Sequence, residues 1–136
     1  MILVVDTNII IAAIIKPSTT QELILKEDIK FYSPEFLRNE IEKYRTEILK
    51  KSGYTESELE SIISIMYSNI TIVPKDEYQH LKEEVLKFTP HQSDWPFLAL
   101  AKHLGATLWT NDSDLKIKQA VVHIITTAEL VQMLEK

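Results

Sequence analysis

Asp6 closes the apolar run Ile2–Val5, and Asp112 and Asp114 follow the run Thr107–Thr110. In an open parallel α/β sheet the ligand crevice lies beyond the carboxyl ends of the strands. If the two runs are neighbouring strands, their acids share one place. A lone Asp at such a junction also serves as a turn former or cap. Glu40 is a sharper case. On the helix that starts at Pro34, the residues Phe36, Leu37, Ile41, Tyr44 and Ile48 span an apolar arc of about 140°, and Glu40 falls inside it. A carboxylate on a buried arc has to be paired, protonated or bound to a cation. Asp94 stands on the apolar side of a helix carrying Phe97, Leu98, Leu100, Ala101 and Leu104, where the alternative role is an N-cap.

Carboxylates gathered in one crevice repel one another and raise each other's pKa values. A divalent cation resolves the conflict. Mg²⁺ or Mn²⁺ takes oxygen ligands and keeps several waters, so Asp6, Glu40, Asp94 and Asp112, with Asp114 as a fifth, are the candidate ligands. A bound ion activates water and neutralises phosphoryl oxygens, and a pair of ions holds the attacking and leaving oxygens of an in-line displacement. Such a site cleaves a phosphodiester without a nucleophilic side chain. It also lets an acidic protein handle a polyanion, because the cation supplies positive charge locally. Lys16, Arg38, Lys116 and Lys118 are candidate contacts for flanking phosphates, each with ordinary surface charge as its alternative.

The elements that must position these acids follow from pattern. Ile2–Val5, Lys30–Ser33, Thr71–Val73, Thr107–Thr110 and Val121–Ile125 read as short strands, the first apolar enough to be buried on both faces. Helices are predicted over Ile9–Ile15 with Thr7 or Asn8 as cap, Thr19–Lys26, Pro34–Lys51, Thr55–Ser68, Asp76–Phe88, Asp94–Leu104, and from Thr126 onward. Three capping-box sequences, at Thr19–Glu22, Thr55–Glu58 and Thr126–Glu129, mark helix starts. Ser33–Pro34 reads as a cap followed by proline in the first helical turn, Pro90–Ser93 as a loop, and Gly105 as a helix stop. Strands alternating with helices predict a mostly parallel sheet with helices on both faces.

Composition narrows the chemistry further. The chain has 136 residues, one domain by length, with 45% hydrophobic and 26% charged residues. Gly53 and Gly105 are its only glycines, so no glycine-rich phosphate loop is present. Cysteine is absent, which removes disulfides, thiolate metal sites and cysteine nucleophiles. The net charge is −5, unlike the basic balance of a nucleic-acid coat protein, and it equals the number of candidate acids. No leader pattern is evident, and the longest apolar run, Ile9–Ile15, is far below the roughly 20 residues of a bilayer span. A soluble, cytoplasmic protein is expected.

Asp6-Thr7-Asn8, Glu40, Asp94-Trp95-Pro96-Phe97-Leu98-Ala99-Leu100-Ala101 and Trp109-Thr110-Asn111-Asp112-Ser113-Asp114-Leu115 together resemble, in order and spacing, the acidic motifs of PIN domains. The resemblance spans nearly the whole chain. It implies a three-layer α/β/α sandwich around a mostly parallel sheet of four or five strands. It also implies Mg²⁺- or Mn²⁺-dependent cleavage of RNA, with Asp6, Glu40, Asp94 and Asp112 as catalytic metal-binding acids, Asp114 as a second acid, and Asn8 and Thr110 as supporting polar residues. Many small PIN proteins are toxins of VapC type, dimeric and paired with an antitoxin, and a chain of this size resembles those. Thr55–Ser68 would then form a helical clip whose Ile62, Ile63, Ile65 and Met66 belong to core or dimer surface. A housekeeping RNA-processing nuclease and a catalytically silent RNA-binding module are the alternatives.

Other chemistries fit less well. A haloacid-dehalogenase-like phosphatase needs an acid two residues after its first Asp, where this chain has Asn8. No GxSxG is present, and His80, His91, His103 and His123 lack metalloprotease spacing.

Overall fold

The computed structural model describes residues 1–89, 91–118 and 122–135, with side chains 117 and 118 left aside. Five parallel strands form one sheet in the order β3-β2-β1-β4-β5: β1 (Ile2–Val5), β2 (Lys30–Pro34), β3 (Ile70–Val73), β4 (Thr107–Trp109) and β5 (Ile124–Ile125). β1 is central and pairs with β4 in register Leu3–Thr107, Val4–Leu108, Val5–Trp109. Asp6 and the segment after Trp109 therefore leave the sheet side by side.

Strand alternation splits the core into two layers. Leu3, Val5, Phe31, Ile70, Trp109 and Ile125 point to one face. There they meet α1 (Thr7–Ile15), α2 (Thr19–Ile24), α3 (Phe36–Lys43), α4 (Arg45–Ser52), α5 (Glu56–Ser68) and α9 (Thr127–Leu134). Val4, Val73, Leu108 and Ile124 point to the other face, against α6 (Lys82–Leu86), α7 (Trp95–Leu104) and α8 (Ser113–Lys118). This is the three-layer α/β/α sandwich that the alternating pattern implies. β1 is buried from Leu3 to Val5, as its unbroken aliphatic run requires.

Several local expectations need correction. The helix expected over Pro34–Lys51 is two, α3 and α4, broken at Tyr44 (φ −99°, ψ 10°). No proline or glycine marks that break; Tyr44 packs against the core there, and Arg45 ties α4 to Glu56 and Glu60 of α5. Ser33 and Pro34 end β2 rather than starting a helix, with the Ser33 hydroxyl donating to the Val5 carbonyl at 3.0 Å. Asp76–Phe88 is not one helix but two 3₁₀ turns and the short α6, since Tyr78 turns in to full burial (1% exposed) between them. Ser18, not Thr19, caps α2. The boxes at Thr55 and Thr126 form as expected, and Gly105 ends α7 at φ +63°. Gln92–Asp94, partly read as loop, is a 3₁₀ turn. Pro90 and Val121, in the predicted loop and fifth strand, lie outside the described residues.

Candidate metal centre

Asp6 sits at the carboxyl end of β1 as the residue preceding α1, yet its side chain makes no cap hydrogen bond. It is 6% exposed, and its Oδ2 accepts from the hydroxyl of the fully buried Thr110 at 2.6 Å. The same Thr110 oxygen accepts the Asp112 backbone N–H at 3.1 Å. Thr110 thus fastens the end of β1 to the turn after β4 and fixes Asp6 relative to Asp112. Thr7, which the sequence offered as a cap, is buried and donates its hydroxyl to Glu40 Oε1 of α3. These two threonines connect three of the four predicted acids.

Burial pushes the Asp6 carboxyl up to about 6. Hydrogen bonds from Thr110 and Thr7 oppose the shift, while the charges of Glu40 and Asp112 add to it. Asp94 is likewise raised to about 6, first by burial, then by the charges of Asp6 and Asp112, with Glu40 also contributing and His91 opposing. Glu40 is raised by burial, against its hydrogen bond from Thr7 and the charge of Lys43. Asp6 and Asp94 therefore both feel Glu40 and Asp112: the four acids form one electrostatic neighbourhood.

Asp94 ends the 3₁₀ turn before α7. It stands at the helix start but its side chain accepts no capping hydrogen bond, and its Oδ2 is buried without a hydrogen-bond partner. An unpartnered buried carboxylate oxygen beside other acids can take up either a proton or a cation. Asp112 spends Oδ1 on the first turn of α8, accepting from Asp114 N at 2.9 Å and Leu115 N at 3.4 Å.

The remaining predicted residues sit differently. Asp114, on α8, lies 3.6 Å from His91 Nε2 and has a half-exposed side chain. Asn8 is exposed and lines a separate cleft of about 280 Å³ with Ile11, Ile15, Tyr44, Glu47, Ile48 and Lys51. Lys116, a candidate phosphate contact, is held by Glu129, and Arg38 lies over the Tyr67 ring at 5.4 Å. Sequence reasoning gave Thr7 no partner; its place one residue after Asp6 and inside the first turn of α1 was the available signal.

Among the described residues, no three His, Asp or Glu side chains already stand together as ligands of one ion. Mg²⁺ or Mn²⁺ needs only a few carboxylates because water completes its shell. The donor set is all oxygen, and the orphaned Asp94 Oδ2 is what such an ion would engage, so the residues fit a hard divalent cation.

The PIN-domain family model matches residues 4–135. No curated protein matches the chain. Among solved structures, the crystal structure of VapBC2 from Rickettsia felis bound to a DNA fragment from their promoter aligns with a TM-score of 0.67 and 21% identity, over 93% of this chain and 98% of that one. At that identity the likeness is one of fold.

Proposed function

The chain belongs to the PIN-domain family, and from that premise we propose that it is a divalent-metal-dependent endoribonuclease, the toxin of a toxin–antitoxin pair. The reading is supported by the charge coupling of Asp6 and Asp94 to Glu40 and Asp112, by the neighbouring strands β1 and β4 that Asp6 and Asp112 follow, and by the buried Asp94 Oδ2 left without a partner. Asp6, Glu40, Asp94 and Asp112 would hold Mg²⁺ or Mn²⁺, with Asp114 as a further ligand. When bound, the ion activates water and offsets charge on the phosphodiester.

The chain's own residues prepare that chemistry. Thr110 holds the Asp6 carboxylate to one orientation and Thr7 does the same for Glu40. Asp112 keeps one oxygen engaged with the start of α8, which aims the other away from that helix. Burial of Asp6 and Asp94 means that protons occupy these groups more readily than usual, so a cation and protons compete for them. The −5 net charge makes the cation the main local attraction for a polyanion.

The antitoxin reading rests on the VapBC2 structure, a toxin–antitoxin complex with a like fold. A single domain over residues 1–136, a homodimer and a cytoplasmic setting complete the proposal; no helix of the described residues is long and apolar enough to cross a membrane. The test is cleavage of single-stranded RNA by the purified chain. Cleavage with Mg²⁺ or Mn²⁺ that stops in EDTA, and that Asp94→Asn abolishes, is the expected result. Equal cleavage in excess EDTA rejects the metal. Growth arrest on expression, relieved by Asp94→Asn, is expected of a toxin; harmless expression of an active nuclease points to housekeeping RNA processing.

A further inference from the structure

Trp95 and Pro96 directly follow Asp94, and the metal centre makes no use of them. They line a cleft of about 230 Å³, shared with Asn39 beside Glu40 and Ser93 beside Asp94. Lys82 Nζ lies 5.0 Å and Lys75 Nζ 5.9 Å from the centre of the Trp95 ring. The buried Tyr78 meets the same indole in a T-shaped contact at 5.7 Å, which props the ring while part of its surface stays open.

Polar capacity in this cleft is unspent. Among the described residues, neither Lys75 nor Lys82 has a carboxylate partner, and the side chains of Asn39 and Ser93 make no hydrogen bond. Glu35 is the lone acid of the lining, and its Oε1 accepts the Lys75 backbone N–H at 3.0 Å. In a chain with five more acids than bases, two unpaired ammonium groups beside an indole are a local reversal of sign.

The cleft also lies in line with the acids. Lys75 follows β3 and Glu35 follows β2, whereas Asp6 and Asp112 follow β1 and β4, all at the carboxyl edge of one sheet. With neighbouring strands about 4.8 Å apart, β3 is roughly 10 Å from β1. A single strand rising roughly 3.4 Å per stacked nucleotide covers that distance in about three nucleotides.

We propose that this cleft binds a nucleotide of single-stranded RNA flanking the cleaved bond, with its base stacked on Trp95 and its phosphates against Lys75 and Lys82. Aromatic rings beside cationic side chains are how proteins hold single strands with little sequence preference. The weak contacts of both ammonium groups with the indole are exchanged for charge-assisted bonds to phosphate. The proposal rests on the nuclease reading above, and it makes Trp95, Lys75 and Lys82 binding residues rather than catalytic ones.

The test titrates the full chain carrying Asp6→Asn with a ten-nucleotide single-stranded RNA of mixed sequence and reads tryptophan fluorescence. Trp109 is fully buried, so quenching reports on Trp95. Saturable quenching is expected, with affinity about tenfold weaker in the Lys75→Gln/Lys82→Gln variant. The slope of log K against log salt should be shallower by about 1.4, at roughly 0.7 per lost phosphate contact. Because these variants lose the reporter, their binding is read from the anisotropy of the same RNA carrying a 5′ fluorophore: Trp95→Phe, which keeps a ring against Tyr78, should retain binding within a few-fold, and Trp95→Ala should lose about tenfold. In the otherwise wild-type enzyme the lysine variant should raise KM about tenfold and leave kcat within twofold. An active nuclease with no quenching, or with KM and salt slope unmoved by the lysine substitutions, overturns the cleft assignment and leaves the nuclease reading intact. Quenching that depends on both lysines, in a chain whose wild type cleaves no RNA, upholds nucleotide binding here and overturns the nuclease reading instead.

Discussion

Replacing Asp6 by Asn should stabilise the metal-free protein at neutral pH while removing its activity. In the folded chain the Asp6 carboxyl is raised from 3.8 to about 6, mainly by burial. Both folded and unfolded chains carry the proton below about pH 4. As pH rises, the unfolded chain releases it first, so stability falls from about pH 4 and levels off above about pH 6. The accumulated cost at pH 7.5 is about 3 kcal/mol, and at pH 4.5 only about 1 kcal/mol. Asn removes the charge and keeps an oxygen for Thr110, but its amide N–H groups need acceptors, which costs about 1 kcal/mol. The net gain is about 2 kcal/mol at pH 7.5 and near zero at pH 4.5. In thermal melts with EDTA this is a Tm higher by roughly 6–10 °C at the higher pH and almost unchanged at the lower. Mg²⁺ at about 100 times its Kd should raise wild-type stability by about 2.7 kcal/mol and the variant's by much less. A variant that melts at or below wild type at pH 7.5 in EDTA would falsify this account of Asp6. So would an offset between the two proteins that does not change with pH.

Two further perturbations separate the site from the scaffold. Thr110→Val keeps the shape but deletes the donor to Asp6 and the acceptor for the Asp112 N–H. It should cost about 2–3 kcal/mol at pH 7.5 by chemical denaturation, and less at pH 4.5, where Asp6 is protonated and no longer a stranded charge; equal losses at both pH values would detach Thr110 from Asp6. Gly105→Ala meets no atom within 4 Å but must hold φ +63°, so it should cost roughly 1 kcal/mol and leave kcat unchanged; a loss above about 3 kcal/mol would show that contacts, not backbone strain, set that position.

Much of the scaffold was legible along the chain because strands and helices write their burial as periods. The aliphatic run of β1, the boxes at Thr55 and Thr126 and the stop at Gly105 all act within a few residues. Where local signals failed, distant contacts had overruled them. Tyr78 turns into the core and Tyr44 packs against its edge at the points where helices that propensity alone would continue are broken, and Pro34 completes a strand because β3 pairs beside it. The resemblance named Thr110 as supporting, but its role as a hub between Asp6 and Asp112 depends on two chain ends meeting across β1 and β4.

By itself the amino-acid order determined which carboxylates break the polarity pattern, since an acid on an apolar arc or at a strand end is visible one residue at a time. Only the tertiary structure decided that they come near enough to feel one another's charge. Convergence is a property of strand order, and nothing local states that the first and fourth strands are neighbours. Lys75 and Lys82 show the same division: in sequence they are two of 15 basic residues, and only folding stands them over Trp95. The physical reason is range. Backbone propensity and periodicity act over a few residues, whereas desolvation and charge–charge coupling act between whichever groups the packed chain brings within a few ångströms.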